Sequence, residues 1–193
     1  LKAEFPKGNT KRIVYKGIEK RCLGTVIFPG CMKGEEDEIP LKVMAKVLDL
    51  RYWEKIREKE SLVYSIWAGS SFPVSIKDYG KVKISFGCDP DKVDKVINAS
   101  FAEIKDIKEK APAEEELDSV KKILLLSYED NLENNGFWLN NLLGTSLFNR
   151  DPAHILTDME KIKNVKPEEI QAVARKYLQE KNNIIILGLP EEK

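Results

Sequence analysis

Histidine is almost missing from this sequence: His154 is the one imidazole among 193 residues. Cysteine is scarce and scattered, with Cys22 and Cys31 nine positions apart and Cys88 far from both. A zinc site draws three or four ligands from His, Cys and carboxylate, usually in close sequence pairs. No C-x-x-C or H-x-x-x-H spacing exists here, so self-contained zinc chemistry is not expected. A Ser-His-Asp hydrolase would have to take its base from His154 alone. That residue stands at a helix start, in Asp151-Pro152-Ala153-His154, without ligand spacing, and reads as structural or superficial. An odd number of cysteines excludes a fully paired disulfide framework of the small secreted kind. No apolar run approaches the ~18 residues of a membrane span. Net charge is missing too, because 32 Lys and Arg balance 32 Asp and Glu. That balance argues against a general nucleic-acid binder, which needs a phosphate-neutralising excess of cations, and against attraction to an anionic membrane surface.

What remains is a chain with 42% hydrophobic residues, enough for a core of its own. No shift in composition marks a linker. Residues 1–193 therefore read as one domain, with 1–10 a lead-in loop and 11–190 the folded part. The chain opens on Leu1 with no basic-then-apolar leader and reads as a piece of a longer protein. Three thiols without evident partners fit a reducing compartment as well as an exported one.

Two β-type runs come first, Lys11–Ile18 and Cys22–Pro29. Gly30 to Gly34 break the pattern, and Glu35 to Glu38 supply acids suited to a helix N-terminus. Leu41, Met44, Ala45, Leu48, Tyr52 and Ile56 then recur at three and four residues, an amphipathic helix reaching Arg57, with Pro40 in its first turn. Strands are predicted over Leu62–Phe72 and Tyr79–Cys88. In the second, Val82, Ile84, Phe86 and Cys88 alternate with Lys81, Lys83, Ser85 and Gly87, as an antiparallel strand with one buried side requires. Asp89-Pro90 gives an N-cap and a first-turn proline for a helix ending near Ala111-Pro112. Helical patterns follow over Leu117–Leu132, Phe137–Phe148, Ile155–Ile162 and Ile170–Tyr177, and a last apolar β run covers Asn183–Leu189.

The order is ββαββ, then four or five helices, then β (ββαββααααβ in its shorter form). Most links between strands are too short for parallel crossovers. The expected fold is α+β: an antiparallel or mixed sheet, helices packed on one face, and the last strand returning to the sheet.

The chemistry-bearing segment is Leu48–Ser65, where the first helix hands over to a strand. Arg57 stands on the last helical turn and Tyr64 seven residues on. Arginine offers five donors in a planar fork and tyrosine a hydroxyl on a rigid arm, a pair suited to peptide carbonyl oxygens. Both residues also have ordinary roles, Arg57 beside a helix C-terminus and Tyr64 as half-buried strand packing. The run Arg57-Glu58-Lys59-Glu60-Ser61-Leu62-Val63-Tyr64-Ser65 resembles the arginine-to-tyrosine segment in the carboxyl-terminal half of the pitrilysin/insulinase zinc metallopeptidases. The surroundings agree: paired strands ending in Phe28-Pro29-Gly30, a helix, a strand before Asp89-Pro90, and a helical tail. The likeness spans about Tyr15 to Leu189.

The resemblance implies a carboxyl-terminal, metal-free domain that faces a zinc-bearing domain across a chamber. In that family the zinc motif is H-x-x-E-H, whose histidines bind the metal and whose glutamate activates water. Arg57 and Tyr64 would hold the substrate main chain, which can also add to a sheet edge, and stabilise the oxyanion. This chain has no H-x-x-E-H, so no catalytic residue and no cofactor are expected in it. Zinc belongs to the partner domain or subunit of the parent, and the partners are that domain and a peptide substrate. Bacterial members of the family are often exported. The alternative is a scaffold or assembly subunit of the same fold with no peptidase activity.

Other features read more plainly. Glu114-Glu115-Glu116 complements a helix dipole, and Gly69-Ser70-Ser71 lacks the lysine of a phosphate loop. Phe137, Trp138, Leu142, Leu143, Leu147 and Phe148 read as core, with docking to a neighbouring domain as the second reading. Trp67, on the strand after Tyr64, reads as packing or as a chamber wall.

Overall fold

The computed structural model describes residues 4–31, 36–73, 79–147 and 151–191. Gly34, Glu35 and Phe148, named above, lie outside them. Strands β1 (Thr10–Tyr15) and β2 (Cys22–Gly30) precede helix α1 (Glu38–Tyr52), which continues as a π-helical segment, Trp53–Lys59. Strands β3 (Ser65–Ser71) and β4 (Gly80–Cys88) follow. After a 3₁₀ turn at Pro90–Lys92 come α2 (Val93–Glu109), α3 (Glu114–Leu132), α4 (Asn135–Leu147), α5 (His154–Asn164), α6 (Pro167–Tyr177) and β5 (Ile184–Leu189). The last strand returns to the sheet as expected, giving the five-stranded order β1-β5-β2-β4-β3. Only the β1–β5 pairing is parallel, so the sheet is mixed. No helix among the described residues is long and apolar enough to cross a membrane.

The alternation in β2 and β4 sorts side chains as the sequence predicts. Cys22, Val26, Phe28, Val82, Ile84 and Phe86 point into the core, while Lys81, Lys83 and Ser85 face the other way. Helix α1 departs from the amphipathic picture. Val43 and Val47 are buried along with Leu41, Met44, Ala45 and Leu48, because α1 touches β3 on one side and α2, α3, α5 and α6 on others. A helix buried nearly all round is the centre of a domain rather than its surface.

Helix α4 departs in the opposite sense. Leu142, Leu143 and Leu147 are 46%, 52% and 66% exposed, which corrects their reading as core. The helix is rich in apolar residues, and among the described residues its main neighbour is α3. Phe137 on that side reaches the core edge-on to Tyr128 and Trp138.

Cys22 and Cys88 lie directly opposite each other on β2 and β4, and all three cysteines are buried and outside any disulfide. Burial, then the neighbouring Cys22, pushes the Cys88 thiol up to about 12. Because the thiolate is the reactive form, the native chain is expected to leave a thiol-disulfide reagent unconsumed at about pH 8. All 3 cysteines should titrate once denaturant is added. A rapid phase in the native protein would contradict the burial.

Candidate substrate-binding site

The junction after α1 is built around two buried aliphatic anchors. Ile56 is 1% and Val63 8% exposed, and each is followed at once by a candidate side chain, Arg57 or Tyr64, turned toward solvent. Helix α1 is fixed to its neighbours just ahead of this point. Arg51 reaches Glu116 with Nε and Nη2 at 2.6 and 2.8 Å and Asp106 with Nη1 at 2.9 Å. The Tyr52 hydroxyl donates to the Ser100 carbonyl, and Lys55 contacts both carboxylate oxygens of Glu103.

Past Tyr52 the helix widens. The amide of Glu60 donates to the Lys55 carbonyl five residues back, and that of Leu62 to Ile56 six back, at 3.0 and 3.1 Å. Bonds this long across the turn define π geometry, which concentrates at functional sites. Ser61 ends the helix in the left-handed region with φ 51°. That conformation crowds an L side chain against the following carbonyl and costs it roughly 1–2 kcal/mol. Ser61→Gly, which keeps the backbone carbonyl, is expected to raise stability by about 0.5–1 kcal/mol in urea unfolding, after the entropy glycine adds to the unfolded chain. A loss of stability would show that the serine hydroxyl matters instead.

Arg57 lies with its guanidinium carbon 3.7 Å from the centroid of the Trp53 ring. The ring takes the face of the cation and leaves its N–H edge for in-plane acceptors. The neighbouring ion pair with Glu58 spans 3.9 Å and is exposed. Trp53 and Arg57 stand four apart, a spacing legible in any helical reading.

Tyr64 is tied to β4 through its amide, which donates to the Gly87 carbonyl at 2.7 Å. Its side chain is 53% exposed, and its hydroxyl donates to Asp89 Oδ1 at 2.5 Å. Lys92 closes the ring of contacts, 3.7 Å from Asp89 Oδ2 and donating to the Ser61 carbonyl at 3.3 Å. Asp89 sits at the N-cap position with extended backbone, as its sequence predicts, but its side chain caps nothing. It is spent on the phenol. That hydrogen bond, then partial desolvation and the acid's charge, raises the Tyr64 hydroxyl above its ordinary value, so it stays protonated at neutral pH.

Arg57 and Tyr64 share no hydrogen bond with each other; each is held by its own neighbour, Trp53 or Asp89. The edge of β3 beside them is partly closed, because Asp49 Oδ1 on α1 accepts the Ala68 amide at 3.0 Å. An added peptide strand would not find that donor. Trp67 is 45% exposed and carries Lys83 Nζ 5.0 Å from its ring centroid, which corrects packing as its main role.

The donor chemistry of zinc is not assembled here. His154 begins α5 with Nδ1 2.6 Å from the Asp151 carbonyl, and among the described residues no three His, Cys, Asp or Glu side chains, the facing Cys22 and Cys88 included, come together to hold a metal. These residues do not fit a zinc site.

The site is thus a helix-to-strand junction on a mixed α+β domain that presents an arginine and a tyrosine toward solvent. The chain belongs to the peptidase M16 inactive domain family, whose sequence profile matches residues 1–124. It is 24% identical over 170 residues to an uncharacterized zinc protease of Streptomyces coelicolor, covering 86% of this chain and 36% of that protein. A PQQL-like zinc protease of Arabidopsis thaliana is 22% identical over 148 residues, 72% of this chain and 16% of that protein. Among solved structures, a protease from Helicobacter pylori matches with a TM-score of 0.85 at 15% identity, over 95% of this chain and 45% of that one. The chain thus spans well under half the length of these relatives.

Proposed function

We propose that this chain is the substrate-gripping, metal-free domain of a zinc metallopeptidase, with residues 11–190 as one domain. The zinc and its water-activating group would lie in another domain or subunit of the same protein. Arg57 would direct the N–H edge of its fork at carbonyl oxygens of an extended peptide. Tyr64 would transfer its hydroxyl hydrogen bond from Asp89 to the oxygen that gains charge as the peptide bond is attacked. An aromatic ring on two side-chain torsions makes that transfer without backbone movement.

The observation that carries this reading is the pairing of outward-facing donors with buried anchors. Ile56 and Val63 hold the backbone, while Arg57 and Tyr64 stay accessible immediately beside them. A residue serving only as packing would have been drawn inward with its neighbour. The test uses the complete protein: metal analysis for one zinc per chain, and cleavage of an unstructured peptide. A complete protein without zinc and without cleavage would leave the scaffold reading.

A further inference from the structure

The face of the sheet turned away from the helices has an unusual charge pattern. None of the five strands contains an aspartate or glutamate, although the chain has 32 acidic residues. Register fixes which side chains share this face. Thr25 is opposite Ile186 and Ser85, Ser85 is opposite Trp67, and Ile186 is beside Arg12, so these residues form one row across the sheet. The next row carries Lys83 between Ile27 and Gly69, and the one beyond it Lys81 between Pro29 and Ser71.

A fourth cation reaches the face from the β1–β2 loop. A Cβ built on Gly87 would come within 3.3 Å of Arg21 Nη2 and 3.6 Å of its Nε, so the guanidinium lies over this glycine. The same Cβ would meet Ser65 Oγ at 3.3 Å. Arg21 therefore covers the strand pair on which Tyr64 is tethered, since Gly87 also accepts the Tyr64 amide. Among the described residues none of Arg12, Arg21, Lys81 and Lys83 takes part in an ion pair. Of the acids nearest to these cations in sequence, Glu19 precedes Arg21 in the β1–β2 loop, Asp89 follows β4 and binds the Tyr64 hydroxyl, and Asp78 lies outside the described residues. Between the cations lie exposed apolar groups, with Leu23 58%, Val14 53% and Ile186 41% exposed.

We infer that this open sheet face is a recognition surface for acidic polypeptide, on which carboxylate and apolar side chains of a substrate lie while its main chain is held at Arg57 and Tyr64. The inference rests on the peptide-gripping reading above and adds the substrate class. Four cations that form no ion pair among the described residues select by charge complementarity, and the apolar groups between them favour a peptide over a purely ionic ligand. Cations balanced by acids elsewhere on the molecule explain why the overall charge gives no hint of this surface.

Fluorescence anisotropy on the full chain tests the inference. The probe is a disordered peptide of about twelve residues with alternating Glu and Leu, whose roughly 40 Å reach exceeds the sheet width. Its counterpart carries Lys at every Glu position. The acidic peptide is expected to bind at least about tenfold more tightly, with affinity falling as salt rises. Lys81→Glu with Lys83→Glu should abolish that preference. Arg21→Glu, in a loop, should reduce it even if the strand variants fail to fold. Equal binding of the two peptides, an unchanged preference in Arg21→Glu, or equal competition by a single-stranded oligonucleotide of the same charge would overturn the inference. Tyr64→Phe separates the two readings. An intact acidic preference beside undiminished cleavage by the complete protein would remove the Tyr64 role and leave the surface standing.

Discussion

Tyr64→Phe is expected to lower kcat of the proposed peptide cleavage by the complete protein by about 10²–10³ with little change in KM, the loss typical of one oxyanion-directed donor. The substitution removes one oxygen and keeps the ring, so the β3 entry and the Gly87 tether stay as they are. It also leaves Asp89 without the hydroxyl at 2.5 Å, but that half-exposed carboxylate remains open to water and keeps Lys92 nearby. Arg57→Ala should divide its effect differently. Losing a residue that grips ground-state carbonyls raises KM, and Arg57→Lys should restore less than half of the loss in free energy, because a point charge cannot reproduce the planar fork. The pH profile carries a second signature. With the Tyr64 hydroxyl held above its ordinary value of 10.0, mainly by donation to Asp89, the wild-type rate should show no decline from phenol ionisation below about pH 10. Steady-state kinetics on the four proteins decides the matter. Wild-type turnover in both Tyr64→Phe and Arg57→Ala would refute the assignment.

Gly24→Ala is expected to be a severely damaging one-carbon change in the sheet. Gly24 lies opposite Phe86 on β4, and a Cβ there would stand 2.1 Å from Cζ and 2.4 Å from Cε2 of that ring. The ring is 3% exposed and is hemmed in by the core, so it cannot swing away without displacing other side chains. An aromatic laid over a strand glycine protects the backbone there, and the glycine in turn gives the ring its seat. Overpacking of this severity costs about 3 kcal/mol, at the upper end for added core volume. Phe86→Leu should be destabilising alone, yet milder when combined with Gly24→Ala. A favourable coupling of more than about 0.5 kcal/mol in the double-mutant cycle is the expected sign of direct contact. Additive losses in denaturant midpoints would mean that the ring and the glycine do not meet.

The sheet class, helix positions and candidate side chains were legible because they depend on local pattern. Alternation in Tyr79–Cys88 and the three-and-four spacing from Leu41 to Ile56 follow from backbone geometry alone. Four things were not legible, each decided at long range. Insertion of β5 between β1 and β2 pairs Thr10 with Ile184, a contact no local signal encodes. Asp89 carries every mark of an N-cap, and its diversion to Tyr64 appears only when β4 brings that turn beside the start of β3. The apolar sequence of α4 signals burial, but how much of a helix is covered depends on how many neighbours it meets. Widening after Tyr52 was equally hidden, since Ile56 continues the α-helical spacing and the extra residue is set by where Ile56 and Val63 find the core.

The π-helical segment makes the site sensitive to length as well as to identity. Deleting one residue between Trp53 and Ile56 would restore ordinary pitch without touching any donor, and would swing everything beyond it by about 100° around the axis. The guanidinium would then leave its aromatic rest, although every functional residue was still in the chain. Relatives that keep both donors but differ by one residue in this turn would therefore aim them differently, a change that a comparison of residue identities alone would miss.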